Sequence, residues 1–362
     1  MQSKADRYAN IKYAFAIADI LYTIFLLLAL QLSGMSRILK IVVSSVTAVA
    51  ALKIALYCAI IFIFYSLLTF GLDLYRSFVV EHYFGLSKQK LSSWLLDYIK
   101  STALGFVVFI VLMECFYIFI GASARGWWWM SASFWALLTV VIARIFPVVV
   151  IPLFFKYKNI SDESLRSAVF ALAKKMQVKV LDIFEIDYSK KSLKANAAFV
   201  GIGSSRRVLL TDTLLNGRFG NKEIEAVLAH EFAHFKHRHL LKMVIMSSLG
   251  IFVMFYIFFL LDGRVFTAGN IADLGWWLLL FMLFQLISAP LVNLIHRKME
   301  KNADAGSLKA VGDKEAFISM MNKLADQNLA QRKVPLWAKI FFYDHPPVSE
   351  RIEFAQDYTA SV

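Results

Sequence analysis

The chain has 362 residues, of which 59% are hydrophobic and only 18% are charged, whereas a soluble domain carries about 25% charged residues. This composition excludes an ordinary soluble protein and predicts an integral membrane protein with several spans. The formal net charge of +13 is attributed to membrane topology and to contact with an anionic leaflet, so nucleic-acid binding is not expected.

Six apolar segments have about the 20 residues that a helix needs to cross a bilayer. They are residues 13–32, 50–71, 101–121, 131–154, 241–261 and 275–295. Most of the 39 Lys and Arg residues lie in the segments on one side of these spans, which are residues 1–12, 73–100, 156–240 and 296–362. The positive-inside rule assigns that side to the cytoplasm. Pro147 and Pro152 are expected to kink or end the fourth span.

Four ionisable residues fall within the predicted spans: Asp19, Lys53, Glu114 and Arg144. Such side chains are costly in lipid and usually face a bundle interior or a water-filled cavity. The alternative for Asp19 and Lys53 is that they extend to the membrane surface from near the span ends. We expect the helical bundle to enclose polar space.

The segments between the spans predict further structure outside the bilayer. Residues 73–100 are expected to form an amphipathic helix with aromatic side chains at the interface. A helix is expected to begin near Ser161, and short apolar runs at 180–187, 194–203 and 206–212 predict strands. The fold class is therefore mainly α, a bundle of about six spans with a small cytoplasmic α/β domain. Residues 1–157 would form the first region and residues 158–362 the second, which includes the last two spans.

Residues 221–240 contain the pattern His230-Glu231-Phe232-Ala233-His234. Positions i and i+4 share one face of a helix, so both imidazoles can reach one metal ion. Glu231 lies beside them, where it can act as a base on water. The pattern is typical of a zinc hydrolase, although its five residues also occur by chance.

A catalytic zinc site needs a third protein ligand. His239 follows His234 by five residues, about 140° further round a continuous helix, so neither it nor His237 is expected to bind the same ion. Glu300 and Asp304 share one helical face after the sixth span, at the same depth as His234. Glu300 would bind the metal and Asp304 would orient an imidazole. The alternative is an ordinary charged helix face.

With these residues in place, the chain resembles the integral-membrane CAAX prenyl protease type 1 family of zinc metallopeptidases. The similarity lies in residues 79–89, 151–157, 196–215, 223–239, 297–304 and 345–352. The combination of HExxH with ExxxD, Asn-Ala, His-Pro-Pro and Arg351 at these distances is highly specific.

The resemblance implies that one zinc ion per chain is held by His230, His234 and Glu300. It also implies an edge strand for the extended substrate, with Asn196, Ala197 and Phe199. His345 and Arg351 would lie near the zinc and help to polarise the scissile carbonyl. Family members enclose a large water-filled chamber with the zinc on its cytoplasmic side.

The chain departs from the family pattern in two places. A span that commonly precedes the first one in the family is absent here, either because the sequence is shortened at its N-terminus or because the protein lacks that helix. Without that span we expect a cytoplasmic N-terminus and a gap in the chamber wall. The position after Asn196-Ala197 is usually aromatic but is Ala198 here, which affects side-chain contacts with the substrate and leaves backbone pairing intact.

The expected function is peptide hydrolysis at the membrane boundary, with removal of C-terminal residues from prenylated proteins. The partners would be a peptide or protein substrate that can carry a lipid, and the bilayer of a bacterial inner membrane or the endoplasmic reticulum. A monomer is plausible. One alternative is broad cleavage of membrane or misfolded proteins, as in the heat-shock membrane proteases. Another is a non-enzymatic membrane scaffold with a structural zinc.

Overall fold

The computed structural model describes residues 2–200 and 207–359. The α-helices in these residues are α1 (Lys4–Leu32), α2 (Met35–Val46), α3 (Ala50–Leu74), α4 (Val80–Tyr83), α5 (Leu91–Ala122), α6 (Trp127–Ile145), α7 (Ile151–Phe154), α8 (Glu163–Lys175), α9 (Asn221–Lys236), α10 (His239–Leu261), α11 (Leu274–Val311), α12 (Lys314–Asn328), α13 (Leu336–Phe342) and α14 (Val348–Asp357). The strands are β1 (Tyr157–Asn159), β2 (Asp182–Ile186), β3 (Ala197–Val200) and β4 (Arg207–Thr211).

Within the described residues, six helical segments are long and apolar enough to cross a membrane, which confirms the predicted number of spans. They are Lys4–Leu32, Ala50–Tyr83, Leu91–Ala122, Trp127–Ile145, His239–Leu261 and Ile271–Val311. Their exposed side chains are largely Leu, Ile, Val and Phe. Lipid is as apolar as these side chains, so no hydrophobic driving force buries them inside the bundle.

The predicted separate helix at 73–100 is wrong. Helix α3 continues through a π-helical turn, Tyr75–Val79, into α4. The continuous helix stops near Gly85, whose φ of +70° is readily adopted only without a side chain. Helix α5 then begins at Leu91. The segment therefore prolongs the helices of two predicted spans and does not form a helix of its own. Between residue 73 and Gly85 no glycine or proline interrupts the first of these helices.

The fourth span is interrupted where its prolines lie. Helix α6 ends at Ile145, and a π-helical turn, Phe146–Val150, leads into the four-residue helix α7. A proline lacks the amide hydrogen of a regular helical turn, so a wider turn accommodates it.

The four strands form one sheet in the order β1-β2-β4-β3. Strands β2 and β4 are parallel, and β3 pairs antiparallel to β4 with Ala197 opposite Leu210. All three predicted strands are present, although residues 201–203 and 206 of the predicted runs lie outside the described residues. Helix α8 is capped by Asp162, whose carboxylate accepts the Leu165 amide, rather than by Ser161. Within the described residues, β3 is an edge strand of the sheet and lies next to α9.

Helix α9 lies in the middle of the hydrophobic core of the sheet domain. Leu228 and Phe232 are fully buried there, among side chains from α8, β4 and α12. Burial of each such side chain contributes roughly 1.5–3 kcal/mol. A second, aromatic core lies between the membrane helices and includes Trp127, Phe255 and Trp277. The first core holds α9 rigidly, so side chains on its remaining face have fixed positions.

The start of α9 is held by a buried carboxylate. Glu223 accepts the Gly220 amide at 2.7 Å and the Lys323 ammonium at 2.7 Å, and the Ser319 hydroxyl donates to its other oxygen. Burial alone would raise the pKa of Glu223, but these donors lower it below its usual value. The carboxylate therefore connects the beginning of α9 to α12.

Replacing Glu223 with Ala is expected to lower the free energy of unfolding by about 2 to 3 kcal/mol at pH 7, because it removes a buried charge with three donors. Since the folded-state pKa is depressed, this contribution exists above the unfolded-state pKa and disappears as the pH falls through the folded-state pKa. Equilibrium unfolding in mixed micelles at pH 7 and at acidic pH would measure it. The matched control is Glu225→Ala, which loses a pair with the exposed Lys222 at 3.4 Å in place of a buried network. Equal losses in both variants would contradict the prediction.

Candidate active site

Helices α9 and α11 approach each other unusually closely. A Cβ atom at Gly306 would lie 2.5 Å from the Cβ of Ala233, so the backbone contact requires glycine at this position. At the next residue of α11, the Ser307 hydroxyl donates to the Ala226 carbonyl, about two turns before Ala233, at 2.7 Å, and Ala303 is fully buried in the same interface. The small side chains let α11 place its carboxylates directly against α9.

This packing brings three side chains to one point. The Nε2 atoms of His230 and His234 are 3.1 Å apart. Glu300 places Oε2 3.2 Å from Nε2 of His230 and Oε1 3.2 Å from Nε2 of His234. His230 and Glu300 are buried, whereas the side chain of His234 is 26% exposed. The cluster therefore has one face open to a ligand.

The donor set fits a divalent metal ion. Nδ1 of His230 donates to Asp304, so the neutral ring presents the lone pair of Nε2 to the cluster. Oε2 of Glu300 is buried without a hydrogen-bond donor in the described part of the chain. With both rings neutral, as metal binding requires, two ring lone pairs and a carboxylate would face one another, and a cation would satisfy all three. Ligands of a tetrahedral ion at about 2.0–2.1 Å would be roughly 3.3 Å apart, close to the observed separations.

Asp304 holds the outer side of His230. Its Oδ1 lies 2.9 Å from Nδ1 of His230, and Arg351 on α14 donates to both of its oxygens, at 2.8 and 2.5 Å. Asp304 is 1% exposed. Bidentate pairing with arginine satisfies a carboxylate that would otherwise be costly to bury. Asp304 therefore orients His230 and is itself oriented by Arg351.

Carboxylates make this pocket favourable for positive charge. Burial alone would lower the pKa of His230, but the hydrogen bonds that its ring donates to Asp304 and Glu300 outweigh this effect and raise the pKa to about 9. A divalent cation that replaces the proton is stabilised by the same two carboxylates, Asp304 and Glu300, at once.

Glu231 points into the cleft beside the cluster. Burial raises the pKa of Glu231 above its usual value, against the opposing effect of His230 and His234. Its carboxylate also accepts the backbone amide of Phe199. A carboxylate with a raised pKa is better suited to exchange protons near neutral pH.

A cleft of about 400 Å³ contains Glu231 and His230. Asn196 and Ala197, at the start of the edge strand β3, line it, and so does His345. Oδ1 of Asn196 accepts the Ala197 amide at 2.9 Å, and no hydrogen bond within the described residues engages its amide NH2. The cleft can therefore receive an extended chain along the strand.

Phe199 contributes through its backbone rather than its side chain. Its ring packs against Phe232 and Phe235 of α9, with both centroid distances 5.4 Å. The ring therefore fastens β3 to α9 and does not line the cleft. The sequence pattern could not distinguish the two faces of so short a strand.

His345 lies at the mouth of the cluster. Its Nε2 is 3.4 Å from Oε2 of Glu300, and its side chain is 53% exposed. Asp344 contacts Nδ1 at 2.7 Å. Burial alone would lower the pKa of His345, but Asp344 and the charge of Glu300 raise it. The ring is thus favoured in the form that donates hydrogen bonds.

Two further residues support the site, and the sequence analysis gave neither of them a role. Arg297 donates to the carbonyls of Lys339 and Tyr343, at 2.7 and 2.6 Å, and so fixes the segment that leads to His345. The N-terminal half of α1 contacts the same region, because Tyr13 donates to Gln331 at 2.7 Å. The signal for Arg297 was present, since it lies one turn before Glu300.

A polar cavity of about 520 Å³ lies between the membrane helices and the sheet domain. Its lining includes Lys12, Arg76, Glu81, Lys191 and Lys194. Arg76 lies 3.5 Å from Asp19, one of the ionisable residues of the predicted spans. The end of the bundle near the site is therefore polar inside.

Comparison with known proteins agrees with this geometry. A family model described as peptidase family M48 matches residues 159–359. A second, described as the CAAX prenyl protease N-terminal region with five membrane helices, matches residues 2–156. CAAX prenyl protease 1 of Saccharomyces cerevisiae is 30% identical over 82% of this chain and 70% of its own length.

Two further similarities cover nearly the whole chain. An uncharacterized metalloprotease of Bacillus subtilis, YhfN, is 26% identical over 97% of this chain and 84% of its own. The crystal structure of S. mikatae Ste24p superposes with a TM-score of 0.87 at 26% identity, covering 98% of this chain and 88% of that chain.

The membrane bundle and the His-His-Glu cluster together define a multi-pass membrane metalloprotease. The chain belongs to peptidase family M48 and is a membrane protease of the CAAX prenyl protease type. This confirms the fold class and the type of enzyme predicted from the sequence.

Proposed function

We propose that this protein is a zinc-dependent endopeptidase that removes C-terminal residues from prenylated proteins at the membrane boundary. The observation that carries the proposal is the cluster of His230, His234 and Glu300, whose ligand atoms converge beside the base Glu231. We further propose that the chain divides into residues 1–157 and 158–362, and that the site faces the cytoplasm, as the distribution of Lys and Arg favours.

In this proposal His230, His234 and Glu300 hold one zinc ion. When bound, zinc polarises the scissile carbonyl and lowers the pKa of water towards about 7. The open face of the cluster supports this assignment, because a structural zinc site is usually closed by four protein ligands.

Glu231 acts as the general base and then as the general acid. It takes a proton from the attacking water and delivers it to the leaving amine. Its raised pKa supports both steps, since the group must exist in the charged form before attack and in the protonated form afterwards.

His345 donates to the oxygen of the scissile carbonyl as negative charge develops there, an interaction worth roughly 3 kcal/mol in comparable enzymes. The pairing with Asp344 supports this role, because it keeps a proton on the ring. Arg351 acts through Asp304, which holds His230 in the orientation that directs Nε2 to the metal.

The substrate backbone adds to the edge strand β3. Extended peptides bind exposed sheet edges through main-chain hydrogen bonds and tolerate varied side chains. Asn196 and Ala197 supply contacts beside the catalytic residues, and Phe199 keeps the strand at its distance from α9. A lipid on the substrate can remain in the bilayer, because α10 begins five residues after His234 and α11 carries Glu300.

The proposal predicts that a farnesylated CAAX peptide is cleaved with a kcat/KM at least about 10-fold above that of its unlipidated twin, because burial of roughly two additional CH2 groups already corresponds to this factor. The measurement is cleavage by the full-length protein in nanodiscs. Equal cleavage of both peptides would favour a broad protease of the heat-shock type. Zinc retained at one per chain with no hydrolysis of any peptide would favour the scaffold.

A further inference from the structure

The break between α9 and α10 brings a third imidazole to the metal cluster. Helix α9 ends at Lys236, and Arg238 adopts the left-handed conformation with φ 53° and ψ 38°. The chain therefore turns back, and His239 at the start of α10 packs against His234. Their Nδ1 atoms are 2.9 Å apart, and their rings meet edge to face at a centroid distance of 5.0 Å.

A hydrogen bond between two ring nitrogens needs one donor and one acceptor. His234 directs Nε2 towards His230 and Glu300, so as a neutral metal ligand it carries its proton on Nδ1. Nδ1 of His239 must then accept, and the proton of His239 lies on Nε2. His239 is 2% exposed and its Nε2 has no partner within residues 2–200 and 207–359.

We propose that His239 is a positioning residue for the metal ligand His234, acting as a buried neutral acceptor for its Nδ1–H. This inference rests on the proposed metal site. His239 would orient His234 by accepting its Nδ1–H, as Asp304 orients His230.

Two unfavourable features accompany this contact. A non-glycine residue in the left-handed region is strained, and a buried ring nitrogen without a partner is uncommon. Simple packing of α10 would not require the buried ring nitrogen, because a leucine would fill the space. The hydrogen bond to His234 accounts for the imidazole at this position.

The two supports differ in charge. Asp304 is an anion, but its charge is balanced by Arg351 at 2.5 Å. His239 is neutral in the assigned tautomer. Glu300 is therefore the anion of the cluster that remains uncompensated, which leaves most of the charge of a divalent ion available to polarise a substrate.

The test compares two replacements in the full-length protein, His239→Leu and His239→Asn. Leucine fills the space but cannot accept, and we expect the zinc affinity to fall 10- to 100-fold. Asparagine places a carbonyl oxygen close to the position of Nδ1 and should retain most of the affinity. Competition with a chromophoric chelator measures this directly, and we expect kcat to follow the same order with KM unchanged.

The matched control is His237→Leu. His237 is exposed and stacks on His239 at 5.5 Å, and no hydrogen bond joins it to His234. Its zinc affinity should equal that of the wild type. Wild-type zinc affinity in His239→Leu would overturn the inference, and so would equal losses in His239→Leu and His239→Asn. Failure of the wild type to bind zinc would instead overturn the proposed function.

Discussion

Glu231→Gln is expected to lower kcat/KM for peptide hydrolysis by about 10³, within the range of 10² to 10⁴ that general acid–base groups contribute. Glutamine has nearly the same shape but cannot accept a proton at neutral pH. The metal content should not change, because Glu231 is not part of the His230, His234 and Glu300 cluster. Steady-state kinetics and metal analysis of the purified variant would measure the two effects separately.

The control for this variant is Glu225→Gln on the same helix. Glu225 lies almost two turns earlier, and within the described residues its ion pair is with the exposed Lys222, so the turnover of this variant should equal that of the wild type. Turnover of Glu231→Gln within a factor of two of the wild type would refute the assignment of the base. Loss of both metal and activity would instead show that Glu231 supports the metal site.

Glu300→Ala is expected to lower zinc affinity more than 100-fold. Loss of a residue that only hydrogen-bonds to a metal ligand lowers the affinity about 10- to 100-fold, and Glu300 is itself a proposed ligand. The change leaves two neutral imidazoles without an anionic ligand, and hydrolysis should fall below detection at ordinary zinc concentrations. Asp304→Asn should have a smaller effect, because it only weakens the orientation of His230. Chelator competition on both variants would establish the order.

Glu315→Ala on α12 is the matched control, since Glu315 is exposed and lies in the first turn of its helix. It should keep wild-type zinc affinity. If Glu300→Ala bound zinc as tightly as the wild type, the third ligand would have to be another residue. His345 would then be the first to examine, because its Nε2 lies 3.4 Å from Glu300.

Much of the membrane fold was predictable because lipid imposes a simple requirement on sequence. A span must be apolar over about 20 residues, and all six segments met this condition. The metal cluster was predictable for a related reason. His230 and His234 are neighbours on one helical face whatever surrounds them, and the hairpin of the last two spans returns Glu300 to the same depth.

The errors arose where tertiary contacts determine local structure. Residues 73–100 were assigned to a separate helix, but α3 continues until Gly85 allows it to end. Phe199 was assigned to the substrate strand, and the sequence did not indicate that its ring packs against Phe232 and Phe235. Hydrophobic patterns report that such a residue needs a partner, and they do not report which partner it has.

Residues 221–240 by themselves determined that two imidazoles and a carboxylate share one helix, because the spacing of a helix is a local property. The tertiary structure decided the rest of the site. The contact between Gly306 and Ala233 sets the distance at which Glu300 meets the two imidazoles. The left-handed turn at Arg238 brings His239 back to His234, although a continuous helix would have placed it about 140° away. Such contacts depend on how separate helices pack, and no local pattern encodes that packing.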